Sequence, residues 1–174
     1  VEHRVARLLS AYETENKINQ ELYRVEISNL QHYGYGVKAF ILSMVELAVE
    51  ISDQKVPAKV IHEILDLGKQ MLQKPIELLE GVEPVLQSLK GKYKLIVATK
   101  GDLLDQERKL EKSGLLDYFH HVEVMSDKKA SDYLKIVKHL DIKPEELLMI
   151  GNSLKSDILP LISIGASAIH IPYH

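Results

Sequence analysis

Cysteine is absent from the 174 residues, which excludes disulfide scaffolds, thiolate zinc sites and cysteine nucleophiles. No apolar run approaches the roughly 18 residues needed to cross a bilayer, and no signal-peptide hydrophobic region opens the chain. An excess of positive charge is also missing. Lys and Arg number 22 against 25 Asp and Glu, a net charge of -3. Residues 1–80 hold 9 basic and 12 acidic side chains and residues 81–174 hold 13 of each, so neither half has the basic cluster a nucleic-acid binder needs. Repeats and low-complexity tracts are absent as well. The expectation is therefore a cytoplasmic protein with neither nucleic acid nor membrane as a partner; composition does not set an oligomeric state. Val1 in place of an initiating Met, and an end at His174 directly after a strand-like run, suggest a chain cut short at both ends.

What is present is the mix of a soluble globular protein, 45% hydrophobic and 27% charged. The length suits one ordinary domain or a small core with an accessory one. Residues 1–80 read as helix throughout, with apolar positions three and four apart at Val5, Leu8, Leu9 and Tyr12, at Leu22, Val25 and Ile27, and from Val37 to Ile51. Gly34 and Gly36 mark a turn between helices, and Pro57 opens a further one. Pro75 and Gly81 mark a boundary.

From residue 81 onward the pattern alternates. Short β-rich runs at Lys94–Thr99, His121–Met125, Leu147–Gly151 and Ala168–Pro172 are separated by helical patterns at Val82–Lys90, Leu103–Lys112, Asp132–Leu140 and Ile158–Ser163. Asp102 is a candidate N-cap and Gly114 a candidate stop for the second of these. Strands alternating with helices predict a mostly parallel sheet covered on both faces. Leu95–Ala98 and Leu147–Ile150 are wholly apolar, as burial on both faces requires. The predicted fold class is thus α/β, a Rossmann-like parallel sheet core over 81–174 with a separate all-helical domain over 1–80.

Ligands of open parallel sheets bind beyond the carboxyl ends of the strands. Thr99-Lys100-Gly101-Asp102 follows the first strand, Ser126-Asp127-Lys128-Lys129 the second, and Gly151-Asn152-Ser153-Leu154-Lys155-Ser156-Asp157 the third. These groups suit an anion. Thr99 offers a hydroxyl, and the N–H groups of Lys100 and Gly101 lie near a helix N-terminus. Lys128 offers a charge for phosphate oxygens. Asn152 and Asp157 offer oxygen ligands of the kind Mg²⁺ accepts. Singly, each also has a structural reading: Thr99 as a cap, Lys128 with Lys129 as a solvated loop, and the Gly-Asn-Ser turn as an ordinary helix start. Their shared placement at successive strand ends is what favours a site.

In this order and spacing, Thr99-Lys100-Gly101-Asp102, Lys128 and Gly151 to Asp157 resemble the second, third and fourth motifs of the haloacid dehalogenase-like hydrolases. Residues 1–80 resemble the helical cap that one subgroup inserts before its second motif. The resemblance implies hydrolysis through an aspartyl-phosphate. It makes Thr99 and Lys128 catalytic, assigns phosphate binding to Thr99, Lys100, Gly101 and Lys128, and gives Asn152 and Asp157 to Mg²⁺. Tyr33, Tyr35 and Lys38 around the two-glycine turn could select the substrate, or the tyrosines could pack between cap helices.

Two departures matter. The family's first motif, an Asp-x-Asp pair closing a central strand, does not occur in residues 1–174. Loss of a central strand would leave backbone groups unpaired in the core, so a segment of about 20 residues carrying that pair is expected before Val1. Asn152 stands where many metal-using members have Asp, and it brings no charge to a metal. The expected function is a Mg²⁺-dependent phosphatase of small phosphorylated or otherwise anionic substrates. The alternatives are a metal-independent 2-haloacid dehalogenase, or a non-catalytic protein that binds phosphorylated ligands or a partner.

Overall fold

The computed structural model describes residues 1–125 and 127–173; Ser126, in the loop after the second predicted strand, and His174 lie outside the described residues. The chain falls into two compact units, residues 1–95 with 101–120, and residues 96–100 with 121–173 of the described chain. It is a mixed α/β protein with parallel strands.

The first unit is helical: α1 (Glu2–Leu8), α2 (Glu15–Tyr33), α3 (Val37–Ile51), α4 (Ala58–Gln73), α5 (Val82–Leu89) and α6 (Leu103–Ser113), then a 3-10 turn at Leu116–Tyr118. The apolar positions spaced by three and four converge on one core of Val5, Leu9, Ile18, Leu22, Val25, Met44, Leu47, Ile64 and Leu67, all buried. Burial of such side chains contributes about 1.5–3 kcal/mol each relative to exposure. Gly68 lets α4 approach α3: a Cβ there would lie 2.0 Å from Cδ1 of Ile41. Inside this core Asn29 donates to Ser43 Oγ at 3.2 Å and to Glu46 at 2.6 Å, which satisfies its buried amide. The Asp102 side chain accepts from the Asp105 N–H at 3.1 Å and caps α6, and Gly114 ends that helix in the left-handed region.

The second unit holds the strands: β1 (Ile96–Lys100), β2 (His121–Met125), β3 (Leu148–Gly151) and β4 (Ser167–His170). Helix α7 (Ala130–His139) links β2 towards β3, and α8 (Leu159–Ser163) lies between β3 and β4. β1 pairs with β2 in parallel, Ile96 opposite His121, and β3 pairs with β4 in parallel, Leu148 opposite Ser167. Among the described residues these are two separate two-stranded ladders. Met125, Tyr133, Ile136, Leu161 and Ala166 form the local core. The expectation that the apolar run Leu147–Ile150 is buried on both faces is corrected here: Leu148 and Ile150 are exposed. Successive side chains alternate between faces: Met149 packs against the local core, while Leu148 and Ile150 share the other face, which remains uncovered among the described residues.

Candidate active site

The sequence-predicted site residues of the second unit lie at the carboxyl ends of β1, β2 and β3. Lys128, three residues beyond β2, reaches Asp157 with its ammonium 2.7 Å from Oδ1. The side chains of this pair keep only 11% and 6% of their exposure. A pair so withdrawn from water is anchored far more firmly than a surface ion pair. The other carboxylate oxygen, Oδ2, accepts from the Ser153 N–H at 3.0 Å.

Asp157 reaches this position through an irregular element. Residues Leu154–Ile158 form a π-helical turn before α8, a wide turn that proteins use sparingly and often at functional positions. Ser153 caps it, its Oγ accepting from the Ser156 N–H at 3.2 Å, while the Asp157 N–H donates to the Ser153 carbonyl at 2.7 Å. The turn folds the Asp157 side chain directly over Gly151. A Cβ at residue 151 would lie 2.5 Å from Cβ of Asp157 and 2.6 Å from its Oδ2. Glycine here makes room for the carboxylate.

Two further residues hold the turn. Tyr133, on α7 and almost wholly buried, donates its hydroxyl to the Ser156 carbonyl at 2.9 Å. Burial, with the nearby Asp157 and Asp132 carboxylates, raises the pKa of its phenol well above the ordinary range, so it remains a hydrogen-bond donor. Lys100, at the end of β1, donates to Ser156 Oγ at 3.2 Å. Asp127 accepts from the Lys128 N–H at 2.9 Å and pairs with Lys129 at 3.1 Å. Its carboxyl is held below the ordinary range, first by Lys129, then by the Lys128 N–H, with a contribution from Lys100. Lys100, Lys128 and Lys129 thus share this edge with Asp127 and Asp157.

The remaining predicted residues are placed as follows. Thr99, one step before the end of the ladder, lies opposite Val124 and donates to the Lys100 carbonyl at 3.3 Å. Asn152 has an exposed side chain, and its backbone carbonyl lies 3.0 Å from Nε2 of His170. Gly101 and Asp102 belong to the helical unit. There the Gly36 turn touches them: a Cβ on Gly101 would lie 3.6 Å from the Tyr35 carbonyl oxygen, and Lys38 pairs with Asp102 at 3.0 Å. Lys38 first of all, then the Asp105 N–H, holds the Asp102 carboxyl below its usual range. Tyr33 and Tyr35 are exposed and take no part in the helical core.

Sequence reasoning did not single out Tyr133, nor the steric demand on Gly151. Only the apolar periodicity of residues 130–139 hinted at the first, since it places Tyr133 on the inward face with Ile136 and Val137.

Comparison with known proteins bears on the fold and the family. A haloacid dehalogenase-like family hydrolase of Xanthomonas campestris is 38% identical and superposes with a TM-score of 0.91, covering 99% of this chain and 72% of its own. The HAD-hydrolase YfnB of Bacillus subtilis, bound to magnesium, is 17% identical over 98% of this chain and 80% of its own, with a TM-score of 0.64, and shares the fold. The glyceraldehyde 3-phosphate phosphatase of Pyrococcus furiosus is 29% identical over 94 residues, 51% of this chain; the chain spans only 39% of that relative's length. The family model of the haloacid dehalogenase-like hydrolases matches residues 1–165, and the chain belongs to that family.

Proposed function

We propose that the protein is a phosphatase of small phosphomonoesters, with residues 1–80 serving as its cap. The buried Lys128–Asp157 pair carries this reading. It presents an ammonium that is oriented before any substrate arrives, at a strand edge where Lys100 and Lys129 also lie. An oriented charge in a water-poor setting stabilises developing phosphoryl charge far better than a mobile surface lysine does. The helices of residues 1–80 support the cap assignment because their core closes on itself between Val5 and Leu67.

In this reading Lys128 donates to the non-bridging oxygens of the phosphoryl group, and the Thr99 hydroxyl turns from the Lys100 carbonyl to donate its one hydrogen to a further oxygen. Asp157 sets the direction of the Lys128 ammonium, and Tyr133 and Lys100 hold the π turn that carries Asp157. The donor set also fits Mg²⁺. A carboxylate offers about four lone-pair directions, and Asp157 uses one on each oxygen, so it would hold the ion with the neutral Asn152 amide and water. When bound, such an ion neutralises phosphoryl charge. The nucleophile is a carboxylate outside the groups named here. We infer that an acidic strand supplies it by pairing between β1 and β3, whose ladders are not joined among the described residues. The phosphatase of Pyrococcus furiosus and the magnesium-bound relative support this assignment by family likeness.

The test is hydrolysis of p-nitrophenyl phosphate by the intact protein with and without Mg²⁺. Lys128→Ala is expected to lower kcat about 10²-fold or more, the scale found on removing an oriented electrostatic donor. Full activity in that variant would refute the assignment, and metal-independent chloride release from 2-haloacids would replace it with dehalogenation.

A further inference from the structure

A second cluster of coordinating side chains lies away from the Lys128 edge. His121 opens β2, and Glu123 stands two residues on, so both project from the same face of the strand. Helix α7 returns across this unit and brings His139, its last residue, to the same point. Nε2 of His121 lies 2.8 Å from Oε1 of Glu123, and Nδ1 of His139 lies 3.2 Å from that same oxygen. The two imidazole centroids are 5.7 Å apart. Donor atoms of all three side chains thus lie within 4.8 Å of one another, so small side-chain rotations bring them to the roughly 3.3–3.6 Å that separates ligands about 2.0–2.2 Å from one tetrahedral ion.

We propose that His121, Glu123 and His139 form a binding site for a borderline transition-metal dication, Zn²⁺ above all, distinct from the Mg²⁺ site of the proposed reaction. Two imidazoles and one carboxylate are a known three-residue zinc set, with the remaining position left to water. Imidazole nitrogen favours Zn²⁺, Ni²⁺, Cu²⁺ and Co²⁺, whereas Mg²⁺ prefers oxygen. The surroundings do not oppose a cation. Lys135, which lines the same hollow, is paired with Asp132 at 2.9 Å. Glu123 is only 22% exposed, so its charge is poorly screened, while His139 is 69% exposed and leaves a path for entry.

Position separates this site from the Lys128 edge. β2 runs from His121 to Met125, a rise of about 13 Å over four steps, and Lys128 follows Met125. A bound ion would tie the end of α7 to the start of β2. Its role is to staple this βα unit, and binding the folded form alone raises stability by mass action.

Titration of the intact protein with CoCl₂, followed by visible d–d absorption and by calorimetry, is expected to show one saturable equivalent with imidazole ligation. ZnCl₂ should displace it stoichiometrically, and MgCl₂ should not. Glu123→Gln and His139→Ala are each expected to weaken Co²⁺ binding tenfold or more, at least the loss known from disturbing outer-shell partners. His62→Ala, which removes an exposed imidazole paired with Asp66 on α4, should leave binding unchanged. Circular dichroism checks that each variant folds. Should one not fold, perturbation of both the His121 and His139 ring nitrogens by Zn²⁺ in the wild-type NMR spectrum is the deciding readout. Absence of a saturable equivalent, undiminished affinity in both folded variants, or ring nitrogens that ignore Zn²⁺ would overturn the proposal; loss of phosphatase activity elsewhere would leave it standing.

Discussion

Replacing Lys128 by Met tests the geometry on which the site rests. The variant keeps the length of the side chain and removes its charge, leaving the buried Asp157 carboxylate with the Ser153 N–H as its remaining named donor. Removing one partner of a buried pair costs about 3–5 kcal/mol because the other charge is left uncompensated. The slight residual exposure of both side chains places this case at the lower end, about 3 kcal/mol. For a chain of this size that is a fall in Tm of about 6–12 °C, or about 1.5 M in urea midpoint if m is about 2 kcal/mol/M. Urea unfolding followed by circular dichroism measures it. Lys129→Met is the matched control: its ammonium is 72% exposed beside Asp127, so a loss of at most about 0.5 kcal/mol is expected. The double variant Lys128→Met with Asp157→Asn should recover part of the loss, because the buried charge is then gone. Equal and small effects of Lys128→Met and Lys129→Met would refute the buried pair, and with it the oriented ammonium.

Three other outcomes follow from the same coordinates. Gly151→Ala forces a Cβ against the Asp157 side chain and should destabilise by about 1–3 kcal/mol, as overpacking does, read by the same urea titration. Tyr133→Phe should cost about 1 kcal/mol through the lost bond to the Ser156 carbonyl; in an alkaline spectrophotometric titration it should remove no tyrosine that ionises near the ordinary value of about 10, since burial holds this phenol protonated beyond it. The Asp132 carboxyl is held below its ordinary range, chiefly by Lys135. Its contribution to stability is therefore present above the unfolded value of about 3.9 and lost as pH falls through the lower folded value. Acid unfolding of Lys135→Met followed by circular dichroism should begin at higher pH than in wild type, and an unchanged midpoint would contradict that pairing.

Periodicity alone made most of the local structure legible. The spacing of Val37 to Ile51 and the break at Gly34 and Gly36 announce α3 and its entry turn, because one face of a helix must be apolar to find a core. Asp102 and Gly114 announce the limits of α6, because a side-chain acceptor and a left-handed residue satisfy local backbone demands that the sequence states directly. The parallel pairing of β1 with β2 and of β3 with β4 follows from strands separated by helices. The site was legible as a set of residue types at strand ends, and less so as geometry. Apolar content implied two buried faces for residues 147–150, yet Leu148 and Ile150 are exposed, since burial depends on what lies against a strand and not on its own composition.

The sequence by itself thus determined the element types, the parallel α/β class and the chemistry available at the strand ends, since each rests on interactions within a few residues. The tertiary structure alone decided that the Lys128 ammonium meets the Asp157 carboxylate 29 positions away, that a π turn lays this carboxylate over Gly151, and that His121, Glu123 and His139 converge. Such encounters are fixed by how a crossover helix packs back on its strand, and no local pattern along the chain encodes that distance.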